Sequence, residues 1–173
     1  MRVLVIGGTG LISTAIVQQL LDRGDEVTAF NRGTTPVRVR GKLEIVRGDR
    51  REPGSLGRAV EGRTWDAVID MMAFAPEDGE QLVKTLWGKT AQVVFCSTAC
   101  VYGGPAAELP IKETSPRRPF GRYGENKAII ERLLLDRSGK EGTDATVLRP
   151  SFTTGEGSTV AGLLFDDALV SRM

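Results

Sequence analysis

The 173 residues predict an α/β fold, a doubly wound parallel sheet between helical layers. Three observations carry that reading. Short apolar runs rich in β-branched residues alternate with stretches of helical spacing from the N-terminus to about residue 150. The runs are apolar almost throughout and not on alternate residues only, as strands buried on both faces are. The first run passes through Gly7-Gly8-Thr9-Gly10 straight into a helical pattern, the strand–turn–helix opening of a dinucleotide-binding sheet.

Val3-Leu4-Val5-Ile6 is the first strand, and Leu11, Ile12, Ala15, Ile16 and Leu20 hold mostly helical spacing until Gly24 supplies the stop. Glycines in the turn let the backbone approach a pyrophosphate, whose charge sits at the helix N-terminus. Gly7, Thr9, Gly10, Leu11 and Ile12 are therefore the candidates for holding it. Ser13 stands where a third small residue, usually Gly or Ala, is expected, and is small enough for close helix–strand packing. Glu26-Val27-Thr28-Ala29-Phe30 is the second strand and ends in Asn31-Arg32-Gly33. The acidic residue that normally grips a ribose 2′-hydroxyl at this point is missing. Asn31 can hydrogen-bond the ribose, and Arg32 can pair with a 2′-phosphate or stack on adenine. Residues 33–42 read as a basic, solvated connection.

Leu43-Glu44-Ile45-Val46 is the third strand, closed by Gly48-Asp49 with Arg50 next to it. A helix from about Pro53 to Val60 and a fourth strand, Trp65–Asp70, follow. Residues 76–87 form a helix opened by Pro76, and Ala91–Cys96 is the fifth strand. The stretch from Ser97 to Gly121 is loop-like and long, and long ordered loops in compact domains are often functional. A helix over 122–137 and a sixth strand, Ala145–Leu148, complete a sheet of expected order 3-2-1-4-5-6 with its ligand across the strands' C-terminal ends.

Composition narrows the function. Charge is balanced, 23 basic against 22 acidic residues, and only 6% of residues are aromatic, so no nucleic acid partner is expected. No apolar run approaches the ~20 residues that span a bilayer. Met1–Gly7 is too short before its glycines to be a signal peptide, so the expected location is cytoplasmic. The chain has no histidine, which excludes Ser-His-Asp and Cys-His catalysis and His-ligated metal. Cys96 and Cys100 suit neither a disulfide framework nor a zinc site; they read as small buried residues, and no metal is expected.

One pair carries chemistry. Tyr123 and Lys127 lie four apart on the helix over 122–137 and so share a face. A free phenol titrates near ~10 and is a poor base at neutral pH. An ammonium nearby would stabilise the phenolate and bring the group closer to working pH.

Four stretches, taken in order and spacing, resemble the extended short-chain dehydrogenase/reductases, the NAD-dependent epimerase/dehydratase family, over residues 1–157. They are Gly7-Gly8-Thr9-Gly10, the Ser97-Thr98-Ala99-Cys100-Val101-Tyr102-Gly103 segment, Tyr123 with Lys127, and Leu148-Arg149-Pro150. The resemblance implies a Rossmann domain of three αβα layers over residues 1–150 and an NAD- or NADP-dependent enzyme. Its reaction would be epimerisation, dehydration or reduction of a sugar or nucleotide sugar by hydride transfer. Thr98 would hydrogen-bond the reacting oxygen, Tyr123 would move the proton, and Lys127 would tune it and hold the nicotinamide ribose. Asp49 would contact adenine, Ala73 would line the cofactor after strand four, and Glu113 would be structural. The lean between cofactors is towards NADP, because strand two lacks its acidic residue and Arg32 is present.

The resemblance also implies a homodimer through helices 76–87 and 122–137, since Ile129, Ile130, Leu133, Leu134 and Leu135 cover more than one face. Family members continue after Arg-Pro into a glycine-rich turn and a smaller C-terminal substrate domain. Here residues 151–173 offer a loose version of that turn, Ser151 to Gly157, and one amphipathic pattern, Val160, Leu163, Leu164 and Leu169. Most of the substrate domain is therefore expected to be missing. A dinucleotide-binding sensor or scaffold without turnover is the other function these features allow.

Overall fold

A computed structural model describes residues 1–105 and 109–153. The expected turn at 155–157 and the amphipathic pattern over 160–169 lie outside the described residues. Six strands form one parallel sheet in the order β3-β2-β1-β4-β5-β6, as the sequence predicts. They are β1 (Arg2–Ile6), β2 (Glu26–Asn31), β3 (Glu44–Arg47), β4 (Trp65–Asp70), β5 (Thr90–Cys96) and β6 (Asp144–Leu148). Helices α1 (Leu11–Asp22), α2 (Ser55–Val60), α3 (Pro76–Leu86) and α4 (Gly121–Leu135) make the crossovers, except that β2 passes to β3 without a helix.

Successive strand residues point to opposite faces, and each face is apolar because each is covered. Leu4, Ile6, Val68, Val93 and Phe95 pack under Leu56 and Val60 of α2, Leu82 and Leu86 of α3, and Ile130 and Leu134 of α4. Val3, Val5, Val27 and Ala67 face the other way, onto Val17 of α1 with Leu20 and Leu21 beside it. Each fully buried Leu or Ile contributes roughly 1.5–3 kcal/mol.

Departures from expectation are local and have local causes. Helix α2 starts at Ser55 and not Pro53, because Gly54 holds φ +74°, outside the helical region. Helix α3 ends at Leu86, since Trp87 is extended. The expected loop after β5 opens with a 3-10 turn, Ala99–Val101, where the Thr98 side chain accepts the Cys100 N–H. Leu134 is fully buried within its own chain, at 0% exposure, so it is not available to a second copy. Ile129, at 51% exposure, is an apolar residue that α4 presents outward.

Candidate active site at the C-terminal edge of the sheet

A cleft of about 410 Å³ opens over the C-terminal ends of β1, β2 and β3. Gly7, Thr9, Gly10, Asn31, Arg32, Asp49 and Arg50 all line it. Gly7 is held at φ +87°, and a Cβ there would fall 2.1 Å from the Met72 Cγ, so both backbone and space require glycine. Gly10 caps α1, and Ser13 accepts the Gly10 N–H on its Oγ at 2.8 Å. Ser13 thus bonds the turn as well as fitting beneath it. The N–H groups that begin α1, from Leu11 on, have no intrahelical acceptor and make a ready anion site.

At the far end of the cleft the Asn31 Oδ1 accepts the Gly33 N–H at 2.9 Å. Its Nδ2 is buried without a partner. Asp49 Oδ1 accepts the Arg51 N–H at 2.9 Å. The Arg50 guanidinium is committed elsewhere: its Nη1 donates to both oxygens of buried Asp70 at 2.9 Å, and its Nη2 to the Asp78 carbonyl at 2.8 Å. Arg50 borders the cleft but braces β3 against β4 and α3.

Not every candidate lies in this cleft. Ala73 is sealed in the core, and its neighbours Met72 and Phe74 line the cleft in its place. The side chain of Ile12 faces a separate apolar groove of about 300 Å³ beneath the sheet, together with Ile16, Val94 and Leu148. Leu11 is the exposed first residue of α1.

Thr98, Tyr123 and Lys127 come together beside the cleft, past Phe74. Tyr123 is 46% exposed, and the Thr98 side chain stands beside its phenol. Lys127 is 1% exposed, and its Nζ donates to the Cys96 carbonyl at 2.7 Å. The ammonium also faces the Phe74 ring at 4.6 Å, the Phe95 ring at 4.8 Å and the Tyr123 ring at 5.8 Å. Phe74 therefore bridges the two parts, lining the cleft while roofing Lys127. Its carbonyl accepts from Asn126 Nδ2 at 3.0 Å, which ties the loop after β4 to α4.

The expected tuning of Tyr123 is not what this arrangement produces. Burial pushes the phenol above its ordinary value, and the neighbouring Thr98 hydroxyl offsets only part of that. Lys127 is itself drawn below its ordinary value, by burial above all. The Lys127 ammonium is turned towards the Cys96 carbonyl and the Phe74 and Phe95 rings, and desolvation dominates at the phenol. Burial likewise raises the Cys96 thiol, which fits an unreactive side chain. Cys100 is exposed and Cys96 half-buried, against the expectation that both are buried, and Glu113 is exposed.

A second layer escaped the sequence reading. Glu131 is fully buried, at 0% exposure, four residues beyond Lys127 on α4. Its Oε1 accepts from Ser97 Oγ at 2.5 Å and from Arg149 Nε at 2.9 Å. Its Oε2 accepts from Arg149 Nη2 at 2.8 Å and Arg117 Nη1 at 3.1 Å. Arg149 Nη1 donates in turn to the Tyr102 hydroxyl at 2.6 Å. Burial alone would raise the Glu131 carboxyl, but the bonds from Arg149 and Ser97 bring it below its ordinary value. A carboxylate among Ile130, Leu133 and Leu134, at i+4 from the lysine, was the sequence signal available for it.

The sequence matches the NAD dependent epimerase/dehydratase family over residues 3–173. The chain belongs to that family. It is 30% identical over 191 residues to the UDP-glucose 4-epimerase of Azospirillum brasilense, covering 92% of this chain and 53% of that protein. It is 28% identical over 167 residues to the 2'-dehydrokanamycin reductase of Streptomyces kanamyceticus, covering 96% and 47%. Among solved structures, the Thermus thermophilus UDP-glucose 4-epimerase complex with NAD superposes with a TM-score of 0.75 at 30% identity, covering 86% of this chain and 54% of that one. This family member thus spans about half the length of the curated relatives it matches.

Proposed function

We propose that residues 1–150 hold a nicotinamide dinucleotide across the sheet edge, and that Tyr123 transfers a proton during reversible oxidation of a secondary alcohol. The observation that carries this reading is the convergence of Thr98, Tyr123 and Lys127 beside the glycine-turn cleft. The cradle fits the cofactor: Gly7 lets the turn fold tightly at positive φ against Met72, α1 opens with free N–H groups, and Asn31 keeps an unpaired donor. Bound there, the nicotinamide would exchange hydride with the substrate carbon. Thr98 would hold the substrate oxygen, Tyr123 would take or return its proton, and Lys127 would hold the nicotinamide ribose.

Several relatives are UDP-glucose 4-epimerases, which supports the choice of substrate class. A sugar or nucleotide sugar is the proposed substrate, bound largely by residues from 151 onward. NADP is favoured over NAD, because the Arg32, Arg47 and Arg51 side chains near the Asn31 end have no carboxylate partner among the described residues. A homodimer through the outward faces of α3 and α4 is proposed as well, and Ile129→Glu should weaken it in sedimentation while Leu134→Glu unfolds the chain.

The experiment is nicotinamide absorbance during turnover of nucleotide sugars, in this chain and in a protein carrying a complete substrate lobe. Turnover in the longer protein that is lost with Tyr123→Phe supports the enzyme. Turnover surviving Tyr123→Phe overturns the mechanism, and binding without turnover in every form makes the protein a dinucleotide sensor.

A further inference from the structure

We propose that Glu131 is a positioning residue, fixing Thr98 against Tyr123 through Ser97 and Arg149 while touching neither member of the pair. This rests on the reading of Thr98 and Tyr123 as the proton-transferring pair.

The three groups stand on different pieces of chain. Tyr123 and Lys127 belong to α4, whereas Thr98 caps the 3-10 turn that leaves β5. Their alignment therefore depends on the register of α4 against the ends of β5 and β6. Tyr123, Lys127 and Glu131 follow one another at intervals of four along one face of α4. Two of them reach the proposed site, and the third clamps its support.

That support is specific. Ser97 directly precedes Thr98, and its hydroxyl is held by Glu131 at 2.5 Å. The Ser97 N–H is bonded to the Leu148 carbonyl at 2.7 Å and the Ala99 N–H to the Pro150 carbonyl at 2.9 Å, so Thr98 sits between two bonds to the end of β6. Arg149, between those two carbonyls, returns two bonds to Glu131 and one to Tyr102, just past the 3-10 turn. One carboxylate thus joins α4, the end of β5, the end of β6 and, through Arg117, the loop before α4. The first turn of α4 closes on the same turn: a Cβ at Gly124 would meet the Cys100 carbonyl oxygen at 2.8 Å.

Burying a carboxylate completely carries a desolvation penalty of several kcal/mol, repaid only when its oxygens are well bonded. Pure packing would be served better by an apolar side chain at this position. A fully buried, fully bonded charge here fits the demand that a proton-transfer pair be held to within about 0.5 Å.

The test is the titration of Tyr123, which needs neither cofactor nor substrate and so fails separately from the proposed function. The chain has two tyrosines, Tyr102 and Tyr123, so NMR of tyrosine labelled at Cζ gives two signals, assigned with Tyr123→Phe. The groups acting on the phenol are Thr98, Cys96 and Cys100, with Lys127 behind its ring. Thr98→Ala should raise the Tyr123 midpoint by removing the neighbouring hydroxyl that favours the phenolate. Glu131→Gln in the folded chain should raise it by a comparable amount, and the double variant should go no further than Thr98→Ala. An unchanged midpoint in folded Glu131→Gln, or full additivity with Thr98→Ala, overturns the proposal. Should Glu131→Gln not fold, Ser97→Ala decides: it removes one bond of the clamp and should shift Tyr123 in the same direction, and no shift overturns the proposal.

Discussion

The two halves of the sheet edge are built from different materials. Over β1 and β2 the cleft is made of backbone: a glycine turn, the open end of a helix, an asparagine that folds the chain back on itself, and arginines standing in solvent. Beside β5 and β6 the corner is made of side chains, with Lys127 and Glu131 buried and bonded from four segments. The difference matches what each is asked to do. Gripping a phosphate needs donors and space, which backbone supplies. Moving a proton needs two oxygens kept in line, which requires side chains braced from behind.

If that division is right, the halves should fail differently. The largest effect is expected in the first. Gly7→Val forces a positive φ on a β-branched residue and drives it into Met72, and should abolish cofactor binding while destabilising the fold by about 2–4 kcal/mol. Calorimetry and thermal unfolding measure the two losses. In the second half, Tyr123→Phe should leave cofactor affinity within about twofold. In a protein with a complete substrate lobe it should cut hydride transfer by ~10²–10⁴, the usual share of a general acid–base group.

The contrast also governs what sequence alone reveals. The cleft was legible because its requirements are local: Gly7 and Gly10 and the helix after them follow within one strand–turn–helix unit, and Asn31 ends a strand that periodicity marks plainly. The sheet order followed from the same units. Tyr123 and Lys127 were legible too, as neighbours on one helix. What stayed hidden is non-local. Ser97, Arg117, Glu131 and Arg149 meet only when four segments fold together, and nothing in the sequence pairs them with one another. Direction was hidden as well: helical spacing places Lys127 near Tyr123 but does not show its Nζ turned to the Cys96 carbonyl. Arg50 is the opposite case, placed correctly at the cleft but occupied by Asp70.

A smaller effect concerns pH. Glu131 is held below its ordinary value of 4.5, so the unfolded chain binds its proton more readily than the folded one. Its contribution to stability is therefore complete above that ordinary value and is lost as pH falls through the lower folded value. Denaturant unfolding between about pH 3 and 7, measured in ~1-unit steps, should show stability falling towards acid, and Glu131→Gln should flatten that slope. An unchanged slope would mean that the clamp carries no charge in the folded state.

The smallest expected effect separates the cofactors. Arg32 is exposed, so a pairing with a 2′-phosphate is screened and should be worth no more than ~1 kcal/mol. Arg32→Ala should therefore weaken NADP by up to about fivefold and leave NAD nearly unchanged, read by parallel titrations. Equal weakening of both would favour stacking on adenine.

The most direct measurement is calorimetric titration of NAD and NADP into the 173-residue chain and its Gly7→Val and Tyr123→Phe variants. One site per chain is expected, lost with Gly7→Val and kept with Tyr123→Phe. Binding that survives Gly7→Val, binding that disappears with Tyr123→Phe, or no binding of either cofactor would contradict it.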